Sequence, residues 1–137
     1  MADTTKLEIV TPEALIYSKD VDMVTLPTIE GQMGILPHHI RLMTQLVPGE
    51  MTVRKLGGVE YIAVGEGMIE VTGSSVSVIT NMAIASDKID EAAVEEARQR
   101  AADRLREKLS SEEVAAVNAS LARSLTQLRV KRRHQRS

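Results

Sequence analysis

The pattern of apolar and polar positions changes character once along the chain, near residue 86. Before this point, short runs rich in Val, Ile, Leu and Met alternate with Gly, Pro and Ser, and no helical period is present. Such runs, separated by frequent turn residues, are typical of a sandwich or flattened barrel of antiparallel strands. The sequence therefore predicts a β region over residues 1–86, with strands at 6–10, 21–26, 51–56, 59–64, 68–72 and 76–80 and short ones within 33–36 and 40–47.

The clearest turn signal is the pair Gly57 and Gly58, which separates two β-prone runs. Glycine tolerates the positive φ that a two-residue hairpin loop requires, so the pair predicts a tight β-hairpin. The stretch 30–49 is also rich in Gly and Pro and should turn sharply several times.

Residues 87–137 contain neither Gly nor Pro, and apolar residues recur there at three- and four-residue spacing. That spacing places them on one face of a helix. Asp90 or Asp87 can cap a first helix, and Ser110 with Glu113 forms a capping box that starts a second. We therefore expect an antiparallel hairpin of two helices, each of about 18–20 residues. Its facing stripes are Ala93, Ala97, Ala101, Leu105 and Leu109 on the first helix, and Val114, Val117, Leu121, Leu125 and Leu128 on the second.

Charge is distributed unevenly, although the net charge of the 137 residues is only -2. Residues 122–137 carry six basic and no acidic side chains. Positive charge at a helix C-terminus is favourable in itself, so a solvated basic end is one interpretation. The other is contact with an acidic partner. A nucleic-acid-binding or protein-binding module with a basic tip is the alternative function, although aromatic residues for base stacking are scarce.

Motifs for catalysis or metal binding are few. The chain has no Cys, no phosphate-binding loop motif and no nucleophile elbow, and its N-terminus does not resemble a secretory signal. No apolar run is long enough to span a bilayer. His38 and His39 are adjacent, so in an extended segment their side chains point to opposite faces and cannot share one metal ion. We therefore predict no catalytic residue and no metal site.

One segment resembles a known family closely. Residues 31–39 read Gly-Gln-Met-Gly-Ile-Leu-Pro-His-His and precede a Leu-x-Thr-x-Leu run and Pro48-Gly49. This motif resembles that of the epsilon subunit of F-type ATP synthases, with His38 in place of the usual Gly and Ile40-Arg41 in place of Ala-Pro. Residues 7–13, 88–92 and 121–130 extend the resemblance over nearly the whole chain.

The resemblance implies a non-catalytic rotor subunit of the central stalk. It would couple transmembrane ion flow to ATP synthesis and inhibit ATP hydrolysis through its C-terminal helices. The implied partners are the gamma subunit, the membrane rotor ring and the beta and alpha subunits of the catalytic head. Ring contacts would come from Gly31, Gln32, Met33 and His39, and head contacts from Arg123 and Arg129. The implied location is peripheral, on the cytoplasmic face of a bacterial inner membrane or the stromal face of a thylakoid.

Some members of that family bind ATP through a motif at the start of the first helix. Ile89 and Asp90 match it, but Ala93 stands where the motif has Arg and Val94 where it has Ala. A guanidinium can neutralise phosphate through several donors, and Ala provides none. We therefore expect no cofactor and at most weak ATP binding, with Asp90 acting as a helix cap.

Overall fold

The computed structural model describes residues 3–134, which form ten strands, one 3-10 turn and two helices. The strands are β1 Thr5–Val10, β2 Leu15–Val21, β3 Met23–Thr28, β4 Gly31–Ile35, β5 Leu42–Leu46, β6 Gly49–Lys55, β7 Gly58–Val64, β8 Gly67–Val71, β9 Ser75–Thr80 and β10 Ala83–Ala85. The 3-10 turn Ser86–Lys88 leads to α1 (Glu91–Arg104) and α2 (Ser111–Arg133).

The ten strands are hydrogen-bonded into one continuous sheet that folds over itself. Its order is β10-β7-β6-β3-β5-β8-β9-β1-β2, with β4 paired to β3. All pairs are antiparallel except β1 with β9. Alternate apolar side chains from these strands fill the interior, and many of them are fully buried. The predicted fold class, a β-sandwich or flattened barrel followed by a helical hairpin, is confirmed.

Two features of the sheet differ from the prediction. The expected strand 21–26 is split, because Val21 ends β2 and Met23 begins β3. The strand β2 was not predicted, because only two of its seven side chains are buried. The consecutive polar residues Ser18, Lys19 and Asp20 interrupt the alternation of apolar and polar positions that marks a strand. The predicted hairpin between β6 and β7 is confirmed, and both glycines have positive φ, 98° and 150°. Its two-residue loop is Leu56 and Gly57 rather than the predicted glycine pair, because Gly58 begins β7 and pairs with Lys55.

The predicted helix starts are confirmed in atomic detail. Asp90 caps α1 by accepting a hydrogen bond from the Ala93 backbone N–H at 3.1 Å. Ser110 and Glu113 form the reciprocal capping box of α2, each side chain accepting from the other's backbone N–H. This backbone contact and the nearby Arg104 hold the pKa of the Glu113 carboxyl below its usual value.

The predicted helix lengths are wrong, and so is much of the facing pattern. The helix α1 has 14 residues and ends at Arg104, so Leu105 and Leu109 lie in the connection, while α2 has 23. Of the ten residues in the two predicted stripes, only Ala101 and Leu128 are buried. The reason lies in the surroundings of α2, whose second half packs on the sheet as well as on α1. Residues on several sides of α2 are therefore buried, namely Ser124, Thr126, Leu128 and Val130.

The hairpin meets the sandwich at its base, where α1 begins and α2 ends. Ile89 is only 4% exposed and packs with Ala63 of β7 and Val130 of α2. Gln127 lies nearby, with its side-chain amide 2.9 Å from the Met82 sulfur. The hairpin is thus docked on the sandwich in this structure.

Candidate subunit interfaces

An apolar strip crosses the outer face of the sheet over four neighbouring strands. It consists of Met68, Ile79, Val10 and Leu15, from β8, β9, β1 and β2, and each is the direct cross-strand partner of the next. Directly opposed residues share one face of a sheet, so the four side chains form a continuous row. They are 38–61% exposed, and the pair Val10 and Leu15 follows a shift in the β1–β2 register between Ile9 and Val10. Contiguous exposed apolar surface of this kind is typical of protein–protein contact sites.

The sequence carried a signal for this apolar strip that was not used. In a strand, neighbouring side chains point to opposite faces. Each strip residue on β8, β9 and β1 has an apolar neighbour that is fully buried: Ile69 beside Met68, Val78 beside Ile79, and Ile9 beside Val10. Two consecutive apolar residues in a strand cannot both face one core, so such pairs predict apolar side chains on the outer face of the sheet as well.

The residues that the resemblance assigns to the rotor ring do not form one cluster. Gly31 begins β4 opposite Thr28, at the end of the sheet where Leu46 pairs with Gly67. His39 follows the other end of β4, and the neighbouring His38 N–H donates to the Gly73 carbonyl at 3.2 Å. Gln32 is exposed, whereas Met33 is partly buried and packs against the core. Within the group, Gln32 is the exposed side chain, and the partly buried His39 lies beyond the opposite end of β4.

The two adjacent histidines have separate local partners. The His38 Nε2 atom lies 3.4 Å from the Asp3 carboxylate, and His39 Nδ1 lies 2.8 Å from the Ile40 carbonyl oxygen. Across residues 3–134, no group of three or more His, Cys, Asp or Glu side chains is arranged to hold a metal ion. The backbone of His38 has a positive φ of 66°, which accounts for the glycine that the family usually has there.

The two arginines assigned to the catalytic head lie on α2 but on different sides. Arg123 is partly buried, while Arg129 is exposed; neither has an ion-pair partner among residues 3–134. Arg129 lines a cleft of about 410 Å³ between α2 and the turns that precede β4 and β6. Gly31, Gln32 and Arg133 line the same cleft. Predicted contacts for two different partners therefore share one cleft when the hairpin is docked.

The two matching residues of the ATP motif have structural roles here. Ile89 is a buried contact between the sandwich and α2, and Asp90 caps α1. Ala93, at the position of the motif arginine, is exposed. Nearby, Arg132 donates to Glu91 at 2.7 Å and to Glu95 at 3.1 Å. The hydrogen bond with Glu91 raises the pKa of Arg132, and Arg98 lowers that of Glu95, so this surface is already internally paired.

Comparison with known sequences identifies the family. Residues 4–86 match the profile described as "ATP synthase, Delta/Epsilon chain, beta-sandwich domain", and residues 87–132 match "ATP synthase, Delta/Epsilon chain, long alpha-helix domain". The chain belongs to the ATP synthase delta/epsilon family. Among its relatives, the ATP synthase epsilon chain of Herpetosiphon aurantiacus is 39% identical over 125 residues, covering 91% of this chain and 92% of the relative. The epsilon chain of Chloroflexus aggregans is 43% identical over 128 residues, covering 93% and 92%.

Two chains in solved structures share the fold of this chain. A chain in the Euglena gracilis mitochondrial ATP synthase, from a cryo-EM structure of OSCP/F1/c-ring, superimposes with a TM-score of 0.71 at 22% identity, covering 96% of this chain and 82% of its own length. A chain in the Tetrahymena thermophila ATP synthase central stalk and c-ring gives 0.61 at 13% identity, covering 93% and 96%. At these identities the likeness concerns the fold.

The family membership inferred from the motifs is thereby confirmed, as is the expectation of an accessory, non-catalytic subunit of a rotary ATP synthase. Neither of the two helices within residues 3–134 has the length and apolar character required to cross a membrane. The apolar strip belongs to the part of the chain that matches the sandwich profile, and Arg123 and Arg129 belong to the part that matches the helical profile.

Proposed function

We propose that this chain is the epsilon-type subunit of an F-type ATP synthase central stalk, and that its sandwich binds the gamma subunit through the apolar strip. The observation that carries the proposal is the strip itself, because neighbouring strands expose four aligned apolar side chains. Burying a fully exposed side chain of this kind contributes about 1.5–3 kcal/mol. These four are 38–61% exposed, so covering the remaining surface contributes roughly half of that for each.

The test is binding of purified gamma subunit to a variant with Met68→Asp and Ile79→Asp. Each aspartate would place a charge in the apolar contact, and we expect binding to weaken at least about 100-fold, or roughly 2.7 kcal/mol. The matched control is Leu56→Asp in the β6–β7 turn, because Leu56 is 96% exposed and distant in sequence from the strip. If the variant with both aspartates keeps the thermal melt of the native chain and binds gamma as tightly, this assignment is wrong.

The same proposal has the sandwich contact the rotor ring, with this subunit peripheral, on the cytoplasmic face of a bacterial inner membrane or the stromal face of a thylakoid. Gln32 and His39 are the candidate ring contacts, and because they lie at opposite ends of β4 they can be tested separately. The chain has no native Cys, so Gln32→Cys and His39→Cys each introduce a single thiol. Cross-linking of either thiol to ring subunits in membranes supports the contact at that end. If neither thiol cross-links to the ring, the ring assignment is wrong.

The hairpin would regulate ATP hydrolysis, with Arg123 and Arg129 touching an acidic surface of the catalytic head. In the docked hairpin, Arg129 shares a cleft with Gln32. If Gln32 faces the ring, the hairpin must change position before Arg129 can reach the head. We expect the full chain, but not a chain ending at Ser86, to inhibit hydrolysis, and we expect Arg123→Glu with Arg129→Glu to relieve inhibition. The inhibition of ATP hydrolysis by the hairpin is what we call the brake. Equal rates of ATP hydrolysis with all three chains would exclude it.

ATP binding to the hairpin should be weak or absent, because Ala93 replaces the motif arginine. Calorimetric titration of ATP into the native chain and into Ala93→Arg provides the comparison. Micromolar affinity in the native chain would contradict the expectation. Affinity that rises about tenfold or more in Ala93→Arg would attribute the weakness to the missing guanidinium.

A further inference from the structure

Three consecutive basic residues at the end of α2 are all bound within the chain. Arg132 pairs with Glu91 and Glu95 of α1, at 2.7 and 3.1 Å. Arg133 Nη1 donates to Glu50 of β6 at 3.1 Å. His134 Nε2 contacts the other oxygen of Glu50, and its ring stacks on Tyr61 of β7 with centroids 3.6 Å apart and planes 11° apart. We call Glu50, Tyr61, Arg133 and His134 the C-terminal clasp.

The clasp differs from the other ion pairs of the helices in its burial. The Glu50 side chain is only 13% exposed and that of His134 21%, whereas Glu91 and Glu95, the acids paired with Arg132, are 30% and 38% exposed. The two arginines are alike, with Arg133 54% and Arg132 56% exposed. Exposed pairs contribute little to stability, because water solvates both charges well. A carboxylate that has lost much of its water depends on its partners, and removing them leaves an uncompensated charge. Because a carboxylate only accepts, His134 Nε2 must carry the hydrogen in this contact.

The clasp lies beside a small apolar contact. The buried cluster between sandwich and hairpin consists of Ala63, Ile89 and Val130, with the partly buried Met82, Ile84 and Val94 packed against it. Val130 precedes Arg133 by three residues, so both contacts hold the same turn of α2. The contacts to Glu50 therefore add to this apolar packing, and to the contact between Gln127 and Met82, in holding the hairpin on the sandwich.

We propose that Glu50 is an internal acidic decoy that holds the basic end of α2 away from an acidic partner. The idea rests on the proposed function, because the competing surface is the acidic one that the hairpin would touch on the catalytic head. A guanidinium that donates to Glu50 is not available to that surface. Docking and partner binding therefore compete for Arg133 and His134, and the strength of the clasp sets the population of released hairpin.

The first experiment measures docking in the isolated full-length chain. Cysteines introduced at Leu56 in the β6–β7 turn and at Glu112 in the first turn of α2 carry a fluorophore pair, and the chain has no native Cys to interfere. Both positions are exposed, so labelling leaves the core intact. Energy transfer between the two fluorophores of one chain, measured molecule by molecule, then reports the ratio of released to docked hairpin.

We expect Glu50→Gln to raise that ratio about five- to tenfold, which corresponds to about 1.0–1.4 kcal/mol at 25 °C. Arg133→Gln should act in the same direction. The double variant should differ from Glu50→Gln by much less than Arg133→Gln differs from the native chain, because the second change removes a contact already lost. The matched control is Glu70→Gln, an exposed carboxylate of β8 that forms no ion pair within residues 3–134. A Glu50→Gln ratio equal to that of Glu70→Gln would overturn the proposal.

The second experiment separates failure of the decoy from failure of the proposed function. Inhibition of ATP hydrolysis by the catalytic head is titrated with native chain, Glu50→Gln and a chain ending at Ser86. Half-inhibition by Glu50→Gln at a severalfold lower concentration supports the decoy. If the native chain inhibits and Glu50→Gln inhibits no better, the decoy is wrong while the brake stands. If the native and truncated chains behave alike, it is the brake that fails.

Discussion

Gly67→Ala is expected to destabilise the sandwich strongly, because the neighbouring strand leaves no space for a methyl group. Gly67 begins β8 and pairs with Thr80 of β9. A Cβ built at Gly67 would lie 1.9 Å from the Ile79 carbonyl oxygen and 2.8 Å from the Thr80 Cα. Both atoms belong to the backbone, so relief requires β8 and β9 to separate rather than a side chain to turn. Overpacking of this kind typically costs about 1–3 kcal/mol and occasionally more, and we expect about 3 kcal/mol or more here.

The matched control is Gly73→Ala in the β8–β9 turn, where a Cβ would meet nothing within 4 Å. Its φ is outside the left-handed region, so alanine should be neutral or stabilise by up to about 1 kcal/mol. Urea unfolding of the two variants gives the free energies, with unchanged m-values as the check on two-state behaviour. A difference between the variants below about 1 kcal/mol would show that the strands yield more easily than the close contact implies.

Three further predictions concern the turn, the docking cluster and the acid limit of stability. His38→Gly should stabilise by about 0.5 kcal/mol, since relief of the left-handed backbone outweighs the entropy of glycine; a clear loss in urea unfolding would contradict this. Ile89→Ala should lower the free energy of hairpin docking by about 2–4 kcal/mol and so raise the fraction of released hairpin, measured by energy transfer between the labels at positions 56 and 112. Hydrogen bonding from Lys55 lowers the pKa of Glu60. Ionised Glu60 therefore stabilises the folded chain fully above about pH 4.5, and this stabilisation is lost as the pH falls. Glu60→Gln should accordingly reduce the fall in melting temperature at acid pH.

The features that were predictable from the sequence are those that depend on a few consecutive residues. The Gly57 and Gly58 hairpin, the Asp90 cap and the Ser110 and Glu113 capping box each involve residues at most three positions apart. Their geometry is decided by local backbone chemistry, which the sequence displays directly.

The features that escaped prediction depend on long-range contacts. Glu50 and His134 are 84 residues apart in the chain, and no local pattern joins them. The reason for Gly67 likewise lies elsewhere in the chain, because the backbone of Ile79 and Thr80 leaves no space for a side chain there. The buried face of α2 was mispredicted for the same reason, since the sheet contributes one of its two neighbours.

The docking of the hairpin at its base alone gives the structure a lever. The contacts with the sandwich come from Ile89 and from the second half of α2, whereas the first half of α2 and the connection after α1 are largely exposed. A 23-residue helix is about 34 Å long, so a small rotation at the base moves the far end by many ångströms. Release therefore requires the loss of the apolar cluster, the clasp and the other contacts of the second half of α2 with β6 and β7, while α1 and α2 stay packed on each other. If release instead unfolded the helices, Glu50→Gln would lower the helical circular dichroism signal; we expect that signal to remain unchanged while the labelled distance increases.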